Sequence, residues 1–156
     1  MIQIGNILCL QIDYLALFLS VLAILLPFIL YLMKPKLMIE IENGIENQKI
    51  GIKVTNKRRC FDAINLNMEV CTVNSRNQTF HLSVDKQDFI ILPSKDFRVF
   101  KVECPQEIQE KLKETGAILR VRVHAAHSYS GFGKAKQQNF RYDGQDNKFT
   151  RIKLSK

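Results

Sequence analysis

The sequence lacks the motifs that mark most catalytic and metal sites. It has no C-x-x-C pair, no H-E-x-x-H helix, no nucleophile elbow and no recognisable pair of base and nucleophile. His124 and His127 are three residues apart, a spacing that a strand does not bring to one face, and no acid or cysteine completes a metal-ligand set. We therefore predict that the chain is not an enzyme and needs neither a metal nor a cofactor.

Paired cysteines are also lacking in the charged part of the chain. Cys60, Cys71 and Cys104 lie there singly and are odd in number. A secreted domain of this size would usually carry a paired disulfide framework. The cysteines therefore indicate reduced thiols on the cytoplasmic side of a membrane.

Positive charge is missing from the start of the chain, because no lysine or arginine precedes Lys34. The uncharged segment from Tyr14 to Met33 is long enough, at about 1.5 Å per residue, to cross a hydrocarbon core of about 30 Å. A signal peptide would need a basic beginning and a small-residue cleavage site, which are absent. Lys34 and Lys36 follow the segment, so the positive-inside rule places the N-terminus outside. We predict a single-pass protein of the cell inner membrane, with a lead-in at 1–13 and a cytosolic β domain at 34–156.

Beyond Lys34 the hydrophobic pattern changes to a period of two. Between Gln48 and Asn56, Ile50, Ile52 and Val54 alternate with polar or small residues, which is typical of a half-buried strand. The remaining strand candidates are Ala63 to Val70, Leu37 to Glu42, Thr79 to Val84, Phe89 to Leu92, Phe97 to Glu103, Ile118 to His124, Phe132 to Tyr142 and Phe149 to Leu154. This makes the domain mainly β.

Turn and helix signals interrupt these strands. Glu42-Asn43-Gly44 and Asp143-Gly144 predict turns, and the basic residues after Asn56 predict a hairpin turn. One short helix is predicted between Pro105, at a first-turn position, and Gly116, which ends it. Many short strands with one helix favour a β-sandwich or a small barrel.

Three segments carry a resemblance to a known class of domain: IGIKVTNKRRCFDAINLNMEV, FIILPSKDFRVFKVE and ILRVRVHAAHSYSGFGK. Their strand spacing and turn placement, from Lys49 to Tyr142, resemble membrane-anchored bacterial immunoglobulin-like domains. The antibody type is excluded because the chain has no tryptophan. The expected fold is therefore one N-terminal transmembrane helix followed by an immunoglobulin-like β-sandwich, or small barrel, with one short helix. In overall plan the chain is similar to small antiviral membrane effectors that sense cyclic oligonucleotides.

Charge within the domain is unevenly distributed. The chain has a formal net charge of +8, and residues 117–156 carry nine lysines or arginines against two acids. Such a balance favours an anionic partner.

Two basic stretches are the candidate ligand-binding segments. Glycines and serines in the second allow close backbone approach and offer hydroxyls, while its lysines supply charge. Either stretch is equally compatible with a solvated, charged turn. The candidate residues are Lys57, Arg58 and Arg59 in the first stretch, and Arg120, Arg122, His124, His127, Ser128, Tyr129, Ser130, Lys134 and Lys136 in the second.

Three functional classes fit these features. The first is a membrane-anchored effector in antiviral defence, whose cytosolic domain binds an anionic ligand such as a cyclic nucleotide and acts on the lipid bilayer as a homo-oligomer. The second is a tethered structural or adaptor β-sandwich that binds a partner protein. The third, nucleic-acid binding at the membrane, has no recognised motif, and we do not predict DNA as a partner.

Overall fold

The computed structural model describes residues 2–32, 34–59, 61–85, 90–128, 131 and 133–153, with the side chains of 2–13, 30–32, 43 and 90 excepted. The chain divides into two compact units, Met1–Lys34 and Pro35–Lys156. The first contains one helix, α1 (Ile2–Leu32), with Pro27 inside it. Its side chains from Tyr14 to Ile29 are exposed and mostly apolar.

The predicted transmembrane helix from Tyr14 to Met33 is not supported. Within the described part of the chain, no helix combines the length and the apolarity that crossing a bilayer requires. The fold class predicted from the sequence is therefore wrong in this element.

The second unit is mainly β. Its elements are β1 (Leu37–Glu46), β2 (Lys49–Asn56), β3 (Ala63–Val73), β4 (Thr79–Leu82), β5 (Ile90–Leu92), β6 (Phe97–Glu103), α2 (Gln106–Lys113), β7 (Ile118–His127), β8 (Gly133–Asp143) and β9 (Lys148–Ile152). They form two antiparallel sheets. The small sheet has the order β1-β2-β6, and the large sheet has the order β4-β3-β7-β8-β9, with β5 also paired to β3.

A single main core lies between the two sheets. Alternate residues of β2, namely Ile50, Ile52 and Val54, are fully buried and belong to the same apolar cluster as Val121 and Val123 of β7. Burying one such side chain contributes about 1.5–3 kcal/mol to folding, which makes the alternation the main cause of the two-layer arrangement. The short helix α2 closes this core with its one buried side chain, Leu112.

The first strand is longer than its sequence predicts. The predicted turn at Glu42-Asn43-Gly44 is instead an irregularity within β1, where the register to β2 shifts between Ile41 and Ile45. The chain reverses only at Asn47 and Gln48, whose φ angles of 49° and 58° suit a two-residue hairpin. The prediction was wrong because a distant residue, Asn147, holds this part of β1 in place.

Asn147 lies in the turn between β8 and β9 and binds the backbone of Ile45. Its Oδ1 accepts a hydrogen bond from the Ile45 N–H at 2.8 Å, and its Nδ2 donates to the Ile45 carbonyl at 3.2 Å. Gly44 permits this approach, because a Cβ there would overlap the backbone oxygen and the side chain of Asn147. The large sheet thereby fastens the edge of the small one.

The predicted hairpin turn after Asn56 is also wrong. The strands on either side, β2 and β3, belong to different sheets, so the segment from Lys57 to Arg59 crosses between the layers. It is held to the β5–β6 connection by two hydrogen bonds: Lys95 N donates to Arg58 O at 3.1 Å, and Ser94 Oγ donates to Arg59 O at 3.0 Å.

Thr72 places a hydroxyl in the core where a methyl group would fit. It is 2% exposed, and its Oγ1 has no hydrogen-bond partner among the residues that the structure describes. We expect Thr72→Val to raise the free energy of unfolding by about 1 kcal/mol, because the variant buries no unpaired hydroxyl. Urea unfolding checks this, with Thr55→Val at a half-buried strand position as the control. A clear loss of stability in Thr72→Val alone would contradict it.

Candidate anion-binding site

The three basic residues predicted on β7 lie on its outer face, away from the core. Arg120, Arg122 and His124 alternate with the buried residues of the strand. Two of them have a side-chain partner within the large sheet: Arg120 Nε donates to Asn139 Oδ1 at 3.4 Å, and His124 Nε2 lies 3.9 Å from Glu69 Oε2. Arg122 is opposite Glu69 on β3. This face is basic, but acidic and amide groups intersperse it.

Lys134 and Lys136 lie on the opposite face of the same sheet. On β8 they pair with Ala125 and Val123, both of which face the core side of β7. Side chains on adjacent strands point the same way when their residues are opposite each other. These lysines therefore do not share a face of the sheet with Arg122 and His124, and their common role in one site stays a prediction.

The end of β7 and the following turn add little to a ligand site. His127 is 1% exposed, and its ring meets that of Phe61 edge-on at 4.5 Å. Burial lowers its pKa, and the charge of Arg58 lowers that pKa further. Ser128 is exposed, with its N–H donating to Asp62 O at 3.2 Å. The other two predicted residues of the turn, Tyr129 and Ser130, lie outside the described residues.

A different group of cations surrounds Lys136, and we call it the basic cluster. Its members come from four places along the chain: Lys36, Lys57, Lys134, Lys136 and Arg151. Lys136 is half-buried and donates from Nζ to the Leu37 carbonyl at 2.6 Å, while the other four are exposed. Burial lowers the pKa of Lys136, and the charges of Arg151, Lys134, Lys57 and Lys36 lower it further, in that order.

The topology of both sheets creates the cluster. Lys36 precedes β1 and Lys57 follows β2, and these ends meet because Lys57 N donates to Lys36 O at 2.8 Å. Arg151 on β9 is opposite Phe140 and therefore shares the inner face of β8 with Lys134 and Lys136. When the Gln138 amide is oriented with its oxygen toward Arg151, the guanidinium donates to that oxygen through Nη2 at 3.2 Å and through Nε. The inner face of β8 and β9 thus places these cations close to the start of β1, where Lys136 binds Leu37 O.

No acid neutralises this cluster among the described residues. The ion pairs found there are Lys49–Asp85, Lys53–Glu42 and His124–Glu69, and none includes a cluster member. Like charges gathered on a partly buried amine favour a bound anion, since an anion offsets both their repulsion and the desolvation of Lys136. The cluster can therefore hold a phosphate or carboxylate by charge-assisted hydrogen bonds.

Three of the predicted residues, Lys57, Lys134 and Lys136, belong to the cluster. Arg58 and Arg59 are in the same segment as Lys57. Arg58 is half-buried and its charge lowers the pKa of His127, whereas Arg59 is exposed. Sequence reasoning missed Lys36, interpreted as a membrane flank, and Arg151. Their one sequence signal is the concentration of basic residues at the two ends of the domain.

In comparisons with known proteins, no family model matches the chain and no curated sequence is significantly similar to it.

Proposed function

We propose that the β domain binds a phosphate-bearing anion at the basic cluster. The observation that carries this proposal is the convergence of five cations, without an acidic partner among the described residues, around the half-buried amine of Lys136. A fold gains nothing in stability from placing like charges together, so the arrangement is best explained by a ligand of opposite charge.

The donors of the cluster suit phosphoryl oxygens. Lys136 donates one of its three N–H groups to Leu37 O, which fixes the position of the amine. Two N–H groups remain as donors for a ligand. Lys36, Lys57 and Lys134 are exposed point charges around it, whereas Arg151 is oriented by Gln138. Such a set holds one oriented anion at its centre and attracts further negative charge at its rim.

A nucleotide is the ligand class that we propose, and a homo-oligomer is the proposed assembly. The phosphate chemistry of the cluster supports the nucleotide. The sequence resemblance in overall plan supports the homo-oligomer and a role in antiviral defence. Phosphate could equally come from a lipid headgroup, so the experiment includes both sources.

The proposal is tested by reversing one charge on each face of the large sheet. We expect Lys134→Glu to weaken pyrophosphate binding about tenfold or more, since a charge-assisted contact contributes roughly 1.5–3 kcal/mol. Arg122→Glu makes a similar charge change on the outer face and should leave binding close to that of the unmodified chain. Isothermal titration of the full chain with pyrophosphate, and with vesicles containing anionic lipid, measures both.

Four results are informative. Binding of pyrophosphate that Lys134→Glu weakens supports the proposal, and binding of vesicles alone would assign the cluster to a headgroup. Failure of both probes to bind would contradict it, as would an equal loss in the two variants.

The adaptor function is the second candidate, favoured by the row of Arg120, Arg122 and His124 on one outward face of β7. Arg122→Glu would abolish the binding of a partner protein on that face, and Lys134→Glu would leave its binding unchanged. The two functions therefore predict opposite results for the same pair of variants.

A further inference from the structure

A cleft runs along the free edge of the small sheet, between β1 and β9. Its volume is about 580 Å³, within the roughly 300–1,000 Å³ typical of small-molecule sites. Five consecutive residues of β1, from Met38 to Glu42, line it. Because their side chains alternate in direction, what they present in common is the backbone edge of the strand.

Contacts between the sheets flank the cleft at both ends. At one end Lys136 Nζ donates to Leu37 O at 2.6 Å, and at the other the side chain of Asn147 binds both backbone groups of Ile45. Hydrogen bonds therefore hold the two sides of the cleft, β1 and the large sheet, in a fixed position. The basic cluster adjoins its first end, and Arg151 belongs to both.

The lining changes in character along the cleft. Phe149 and Ile41 are half-buried and apolar, and Phe140 is almost wholly buried beneath them. One side of the Phe149 ring is supported by Tyr142, with ring centroids 4.9 Å apart. The carboxylates of Glu40 and Glu42 lie along the strand, with Glu42 at 4.0 Å from Lys53. A ligand that extends from the basic cluster into the cleft therefore contacts the cations first. It then contacts the apolar side chains, with the carboxylates beside them.

This order of cations, apolar side chains and carboxylates favours some phosphate-bearing ligands over others. A second anion is disfavoured next to Glu40 and Glu42, and an acyl chain would leave these carboxylates against hydrocarbon. A flat heterocycle suits the cleft better, because its face can lie on Phe149 while its amino group donates to a carboxylate. Adenine, guanine and cytosine have such an exocyclic amino group, whereas uracil does not.

We infer that the cleft between β1 and β9 receives the base of a nucleotide whose phosphate lies on the basic cluster, with Glu40 accepting a hydrogen bond from the base. This inference rests on the proposed function, because it requires the cluster to hold the phosphate. Phe149 supplies the stacking face, and Arg151 stands between the two subsites.

Titration of the full chain with AMP, UMP, ribose 5-phosphate and inorganic phosphate tests it. We expect AMP to bind about tenfold more tightly than ribose 5-phosphate, since a stacked base contributes roughly 1–3 kcal/mol. Phe149→Leu should reduce the affinity for AMP to that for ribose 5-phosphate and leave the affinity for phosphate unchanged. Phe97→Leu is the control, because Phe97 is 50% exposed, stands beneath Lys53 on the small sheet and does not line the cleft.

The exposed position of Glu40 provides a variant that leaves the fold intact. We expect Glu40→Gln to reduce the preference for AMP over UMP while both still bind. Equal affinities for AMP and ribose 5-phosphate would overturn the base subsite and leave the cluster as a phosphate site. Failure of all four compounds to bind would instead overturn the proposed function itself.

Discussion

Replacing Asn56 with leucine is expected to lower the free energy of unfolding by about 3 kcal/mol, because three buried or partly buried hydrogen bonds lose one partner each. Asn56 is fully buried at the end of β2. Its Nδ2 donates to Phe61 O at 2.9 Å and to Leu92 O at 3.3 Å, and its Oδ1 accepts from Arg58 N at 3.1 Å. One side chain thereby holds the crossing between the sheets.

Leucine has a similar volume, so the loss measures the unpaired backbone groups rather than a cavity. Asn67→Leu is the matched control, since Asn67 is exposed on β3 and should change stability by less than about 0.5 kcal/mol. Urea unfolding with unchanged m-values measures both variants. Similar midpoints for the two would show that Asn56 does not hold the crossing.

Gly44→Ala is expected to destabilise the domain by about 2 kcal/mol, a typical cost of an added methyl group without room. The new Cβ would overlap the backbone oxygen of Asn147, so the turn between β8 and β9 must withdraw from β1. Both hydrogen bonds from Asn147 to Ile45 are weakened in the process.

The control for this variant is Gly51→Ala on β2. A Cβ at Gly51 meets only side-chain atoms at 3.7–3.9 Å, which is ordinary contact. Alanine there should be neutral or stabilise by about 0.5–1 kcal/mol, because glycine is a poor strand residue. Thermal unfolding of the two variants measures the difference. If both alanines had the same effect, the contact between Gly44 and Asn147 would carry no stability.

The strands of the domain could be predicted from the sequence because their alternation is local. Ile50, Ile52 and Val54 lie in the core as their spacing indicates, and the short helix begins after Pro105. The end of β1 could not be predicted, since Asn147 sets it from about a hundred residues away. The transmembrane helix was predicted from composition, and the described part of α1 does not support it.

The strand order could not be predicted from the sequence, because a list of strands contains no information on which pairs are adjacent. The order β1-β2-β6 in the small sheet and the adjacency of β3 to β7 appear only in the structure.

The site was predicted only in part, for a reason of register. Arg122 and Lys134 are close in sequence, yet the pairing of Val123 with Lys136 puts them on opposite faces. A shift of one residue in the β7–β8 pairing would have brought them together. Lys36 and Arg151 both act on Lys136 because the β8–β9 pairing and the hydrogen bond from Lys136 to Leu37 O bring distant parts of the chain together.

Lysine footprinting of the full chain tests the basic cluster most directly. Acetylation of exposed lysines is measured by mass spectrometry with and without pyrophosphate. We expect labelling of Lys36, Lys57 and Lys134 to fall several-fold with the ligand, whereas the exposed Lys101 and Lys113 stay unchanged. If saturating pyrophosphate left the labelling of all five lysines unchanged, the basic cluster would not be an anion site.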